Sequence, residues 1–232
     1  MIIKNINVLK YDQFGEGINI SEGGWATDFF LSLSAGLLSL DCNTYKQFKK
    51  MICIAFLFGG IGHRYFGNKA LDGKGQILSY ITMTLGYIPM TVGYINLIET
   101  EYSNKLLMII QFLQCIFGIM TIHYMSKTKE ITDDYDSTTK LTEDEKKAVK
   151  YDFYYSSCEL LLVILYIYKL IYLYQNKEID KISIASNLLG YITLYGWGGL
   201  NILGILKQTS KNQDFCQRFF HYTQYIFIYY LK

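Results

Sequence analysis

The run QILSYITMTLGYIPMTVGYINLI, Gln76 to Ile98, carries no charged residue in its 23 positions. A helix needs about 20 predominantly apolar residues to cross a hydrocarbon core of about 30 Å. In lipid only a helix or a closed barrel satisfies its own backbone groups, and this run lacks the period-two alternation of a barrel strand. Its small residues Ser79, Gly86 and Gly93 let a neighbouring helix approach closely, and Pro89 removes one backbone donor and bends it.

Reading outward from this run gives four more of the same kind. Leu106 to Met125 follows after only ETEYSNK, a link short enough to make the two helices antiparallel neighbours. MICIAFLFGGIG, Met51 to Gly62, precedes it and is short unless the stems of the lysines before it are counted by snorkelling. Ser156 to Gln175 and Ile182 to Leu206 are joined by the polar link NKEIDK. The last run is glycine-rich, with Gly190, Gly196, Gly198, Gly199 and Gly204 around Trp197, a composition suited to helix packing.

The expectation is an all-α, polytopic integral membrane protein with about five transmembrane helices. Residues 1–45 form an N-terminal extramembrane or interfacial segment, 46–99 a helical hairpin, 100–125 a third span, 126–155 a polar loop with a surface helix, 156–206 a second hairpin and 207–232 an interfacial or buried aromatic helix. Ala26 to Leu40 is too short to cross on its own. It is expected at the interface, with Trp25 at headgroup level and Asp28 as a helix-start acid, or packed on the bundle. In the polar loop Thr142 is placed to cap a helix whose first turn carries Glu143 and Asp144.

Composition narrows the function classes. About half of the 232 residues are apolar, 18% are charged, and the net charge of +2 offers no basic stripe for nucleic acid. The five cysteines, Cys42, Cys53, Cys115, Cys158 and Cys216, are scattered and never paired as CxxC, so neither a disulfide framework nor a zinc site is indicated. The start lacks both a secretory core and an arginine-rich presequence, so an organelle address is expected to be internal. The excess of Lys and Arg places the 126–155 loop and the C-terminus on the matrix or cytoplasmic side.

One tract carries more than composition. In FGGIGHRYFGNKALDGKGQIL, Gly59 and Gly62 precede His63 and Arg64, the aromatic pair Tyr65 and Phe66, then Gly67 and a second helix entry at Gly73 or Gly75 with Gln76. This resembles the TM2 domain, a two-helix membrane hairpin with the pattern G-x-x-G-x-H-R-F-Y-x-G. The aromatics are in swapped order, single residues are missing before the histidine and after the aromatics, and Asn96 or Glu99 stands where that family has aspartate. The resemblance covers about a fifth of the chain and implies a hairpin whose turn meets water or lipid headgroups. Without the resemblance, the glycines thin the helix end and admit the positive φ of a reversal, while Arg64 answers terminal carbonyls or a lipid phosphate.

The His63–Arg64 pair therefore reads as structural. A catalytic or ligand-binding role is the alternative, opposed by the lack of a carboxylate nearby in sequence except Asp72. Within the spans, Lys169 and Glu159 are the intramembrane charges, and each is a functional candidate by position. Snorkelling to the helix ends is the plainer reading of both, and a proton relay through the pair the sharper one. LGYIPMTVGYINLI at Leu85 and LGYITLYGWGGLNIL at Leu189 also echo each other faintly.

No catalytic, metal or cofactor constellation is read in the sequence, beyond structural phospholipid. The functional expectation is a non-enzymatic accessory subunit of a multi-subunit membrane complex, partnered by other membrane subunits and lipid, in the mitochondrial inner membrane as part of a respiratory or ATP-synthase assembly. A small-solute or ion transporter is the first alternative, and a lipid-binding or signalling TM2-domain protein of an endomembrane the second.

Overall fold

The computed structural model describes residues 22–41, 44–66, 73–97, 101–127, 142–202 and 210–231. The described residues are helical and contain no strand. In chain order the helices are α1 Glu22–Asp41, α2 Lys46–Ile61, α3 Gly73–Leu97, α4 Glu101–Met125, α5 Glu143–Gln175, α6 Lys181–Ile202 and α7 Ser210–Tyr230. Each packs on its neighbours in sequence, α7 returns against α1, and α5 reaches across to α3, so the bundle closes as a ring.

Two of the boundaries that differ from the sequence expectation bear on the buried polar groups. The surface helix of the 126–155 loop and the fourth apolar run are one helix, α5, of 33 residues. At 1.5 Å per residue it is about 50 Å long. No glycine or proline interrupts EDEKKAVKYDFYYSSCELLL, so a helix once nucleated runs on from the charged turns into the apolar ones. Its start is the expected cap: the Glu145 amide donates to Thr142 Oγ1 at 3.3 Å and the Thr142 amide to Glu145 Oε2 at 2.6 Å, a reciprocal capping box. In the same exposed turn, a hydrogen bond from Lys146 lowers the Glu143 carboxyl below its usual range.

The second difference is at FGGIGHRYFG. The glycines do not end the helix. α2 runs through Gly59 and Gly60 to Ile61, and a π-helical turn, Gly62–Phe66, extends it through the His-Arg pair. Gly62 has φ −58°, ordinary right-handed geometry, so it does not supply the positive φ of a reversal. Absence of a side chain, and not backbone freedom, is what the position requires. With the π turn added, this element covers residues 46–66, and the short run read from Met51 to Gly62 understates its length.

The N-terminal helix likewise exceeds the Ala26–Leu40 reading by four residues at its start and one at its end, and lies against α2 and α7. The C-terminal aromatic helix buries Phe220, His221, Phe227 and Ile228, while Phe215, Tyr222 and Tyr229 are each more than half exposed. Pro89 lies within α3, which continues past it to Leu97.

The centre of the ring is aromatic. Phe48 of α2 meets the ring of Tyr94 edge-on at 5.2 Å and that of Phe227 at 5.8 Å, and Tyr94 stacks on Tyr166 of α5 at 4.0 Å. Four helices are joined through this cluster, around which Leu162, Leu170 and Leu107 are fully buried. The outside is apolar as well: Met108, Ile109, Phe112 and Ile119 on α4 are each more than half exposed. Among the described residues two helices, α4 from Tyr102 to Met125 and α5, are long and apolar enough to cross a membrane by length and composition.

Candidate functional site

Three clusters of buried polar groups stand out among the described residues. The first surrounds the His-Arg motif. Asp28, on the second turn of α1, is 1% exposed, and its carboxylate bridges two imidazoles. Oδ2 lies 2.5 Å from Nδ1 of His63 and Oδ1 lies 3.0 Å from Nε2 of His221. A buried carboxylate is tolerated only when such donors answer it. His221 Nδ1 meets Thr27 Oγ1 at 2.7 Å, so the tautomer that donates to Asp28 from Nε2 also accepts from the threonine. With Nδ1 donating to Asp28, the Gln217 amide donates to His63 Nε2 at 3.2 Å, and α1, the π turn and α7 are thereby tied at one level.

His63 accordingly has a carboxylate, supplied from 35 residues upstream and not from Asp72, which lies outside the described residues. The glycine beside it makes room: a Cβ at Gly59 would lie 3.2 Å from Asp28 Oδ1. Arg64 is exposed and stands over the Trp25 ring at 4.8 Å, a cation–π contact that uses the aromatic expected at headgroup level. Tyr65 is exposed beside it. Gly67 and the side chain of Phe66 lie outside the described residues.

The second cluster centres on Glu159 of α5. Tyr87 of α3 and Tyr195 of α6 both donate to its Oε1, the latter at 2.9 Å, and the two phenol oxygens are 3.2 Å apart. Tyr94 and Tyr191 meet at 3.3 Å between the same two helices. The two echoing segments of the sequence thus face each other through tyrosine pairs. Thr91 links α3 to Gln111 of α4 at 2.5 Å and to the Tyr166 hydroxyl at 2.6 Å, and Asn187 donates to Gln224 of α7 at 2.9 Å. Asn187 Oδ1, Gln224 Nε2 and Ser183 Oγ are buried without a partner among the described residues.

The third cluster corrects the reading of Lys169. Its side chain does not snorkel. It is fully buried and donates to the backbone oxygen of Tyr94 at 2.9 Å and to Asn104 Oδ1. Tyr94 is in the last turn of α3, where four carbonyls lack intrahelical partners. An ammonium there caps the helix end and holds α3, α4 and α5 together where α3 passes to α4. Glu159 and Lys169 are not brought together: ten residues along one helix separate them by about 15 Å, and each has its own partners.

Most of the packing glycines are where a helix face must be bare. A Cβ at Gly86 would stand 3.1 Å from the backbone oxygen of Ala55, one at Gly93 3.1 Å from Met51 Cβ, and one at Gly62 2.5 Å from Thr82 Oγ1. At Gly190 it would overlap the Thr223 hydroxyl. Gly196 differs: the nearest atom to its Cβ would be Ile192 of its own helix at 3.9 Å, so no neighbouring helix among the described residues uses it. Ser79 on α3 and Gly198 and Gly199 on α6 have surroundings outside the described residues. Gly118, against Tyr155, and Gly36, against Cys53, serve the same purpose and were not singled out in the sequence. Asp28 and His221 were also missed as partners, because nothing local marks a carboxylate and an imidazole almost two hundred residues apart as neighbours.

Among the described residues no group of three metal-ligating side chains is placed to hold an ion. No family model, curated protein or solved structure matches the chain.

Proposed function

We propose that this chain is an integral membrane protein in which α2 to α6 cross the bilayer, α2 and α3 form a TM2-like hairpin, and the whole serves as a non-enzymatic accessory subunit of a larger membrane assembly. The observation that carries this reading is the apolar exterior of α4, where Met108, Ile109, Phe112 and Ile119 are 57–66% exposed on one helix. A patch of that kind is covered by lipid or by another subunit. The inner polar groups support a stabilising role: Lys169 closes a helix end, Asp28 clasps three elements, and Thr91 joins three helices. The mitochondrial inner membrane is the compartment proposed.

The test is fractionation followed by mild solubilisation and native separation of the full chain. Resistance to alkaline extraction, enrichment with inner-membrane markers and migration with co-purifying subunits is the expected outcome. Migration as a lone chain would remove the accessory-subunit reading. Transport of a small solute or ion is the second reading, favoured by the unpaired buried atoms of Ser183, Asn187 and Gln224 between α6 and α7. Loss of solute flux with assembly intact, on replacing Asn187 and Gln224 by leucines, would favour it over the first.

A further inference from the structure

The depth of Glu159 follows from its partner. Tyr87 stands eleven residues from each end of the uncharged run Gln76–Ile98. At 1.5 Å per residue that is about 16 Å from either end, the middle of a hydrocarbon core of about 30 Å. The sequence position of Glu159, three residues into its own apolar run, places it near an end. The contact with Tyr87 places it at the midplane of α3.

A carboxylate at that depth is costly unless a cation answers it or a proton neutralises it. Among the described residues no lysine, arginine or histidine contacts Glu159; its partners are the two phenols. The titratable groups around it are phenols as well: Tyr87 from α3, Tyr195 from α6, and on its own helix Tyr155 one turn before and Tyr166 two turns after. From α4 the neighbour at this level is Gly118, packed on Tyr155. Both phenols direct their hydrogens at Oε1, so the described contacts leave Oε2 to carry the proton. Glu159 is partly buried, at the level where α3, α5 and α6 meet.

We propose that Glu159 is a reversible proton-binding site at mid-membrane depth: the carboxylate takes one proton on Oε2 from the aqueous phase and returns it, while Tyr87 and Tyr195 hold Oε1 in both states. The phenols are positioning residues that donate to the carboxyl group. Lys169 has no part in it. This rests on the membrane reading of α3 and goes beyond the accessory-subunit role, since a subunit with such a site can respond to or carry protons.

The experiment uses dicyclohexylcarbodiimide, an apolar reagent that attacks protonated carboxyl groups in lipid, on membranes containing the full chain, with mass spectrometry of the peptide around residue 159. The expected result is modification at Glu159 that falls severalfold as pH is raised and is absent in Glu159→Gln. In Tyr87→Phe/Tyr195→Phe, which removes the donors that favour the anion, modification persists to higher pH. Absence of labelling in a chain that resists alkaline extraction overturns the proton site alone, as does labelling that does not change with pH. Protection by sodium at constant pH overturns it in favour of a metal cation. Release of the chain by alkaline extraction overturns the membrane reading and the site together.

Discussion

Gly62→Ala isolates one contact between the π turn that extends α2 and the facing helix α3. The added Cβ would lie 2.5 Å from Thr82 Oγ1 and 3.2 Å from Thr82 Cβ, and Thr82 is buried and bonded to the Leu78 carbonyl at 3.1 Å. Forcing a methyl into a filled interface costs about 1–3 kcal/mol. Alanine regains about 1 kcal/mol of helix propensity over glycine. The net loss expected is therefore about 0–2 kcal/mol, and about 2–4 °C of Tm accompanies each kcal/mol in a chain of this size. Thr82→Ala removes the hydroxyl and leaves the 3.2 Å contact as the closest one. In that background Gly62→Ala should recover most of its cost, a coupling of about 1–2 kcal/mol within the range of contacting pairs. The assay is thermal unfolding of the detergent-solubilised full chain for the two single variants and the double. Gly62→Leu, which pushes further carbons toward α3, should be worse than alanine in either background. Additivity within about 0.5 kcal/mol, or a rise in Tm for Gly62→Ala alone, would refute the claim that Gly62 is bare because Thr82 fills its place.

Three further outcomes follow from the buried contacts. Asp28→Ala leaves the His221 donor buried and unsatisfied and should cost about 1–3 kcal/mol, whereas His63→Ala leaves Asp28 paired with His221 and should cost less; reversal of that order in thermal unfolding would contradict the bridged arrangement. Lys169→Met strips the donor from the α3 end and should lower stability by about 1.5–3 kcal/mol, with faster amide exchange between Tyr94 and Asn104, while a variant as stable as the parent would restore the snorkelling reading. Gly190→Ala, which overlaps Thr223, should destabilise, and Gly196→Ala, which meets nothing closer than 3.9 Å, should be neutral or gain up to about 1 kcal/mol; melting curves of the pair decide.

Local pattern carried much of the architecture. An uncharged run announces a helix because no other open structure satisfies its backbone in lipid, and Thr142 with Glu145 announces a helix start because those two groups reach one another within a turn. Gly59, Gly62, Gly86, Gly93 and Gly190 were legible as packing positions for the same reason: a bare face is a property of the residue itself. Element ends were less legible. The helix continues from Phe58 to Phe66, and glycine there is a matter of what lies opposite, which no window of sequence contains.

The chemistry of the interior was decided at the tertiary level. From the sequence alone, Glu159 and Lys169 were two charges on one run, read as snorkelling with a proton relay as the sharper alternative, and His63 was an imidazole with no acid nearby in sequence but Asp72. Which of these holds depends on groups delivered by other helices: Tyr87 and Tyr195 to Glu159, the end of α3 to Lys169, Asp28 and Gln217 to His63. The cost of a buried charge is set by its partners and its depth. Hydropathy therefore determined that these residues lie in a helical, largely apolar chain, and only the closure of the ring determined what each one touches.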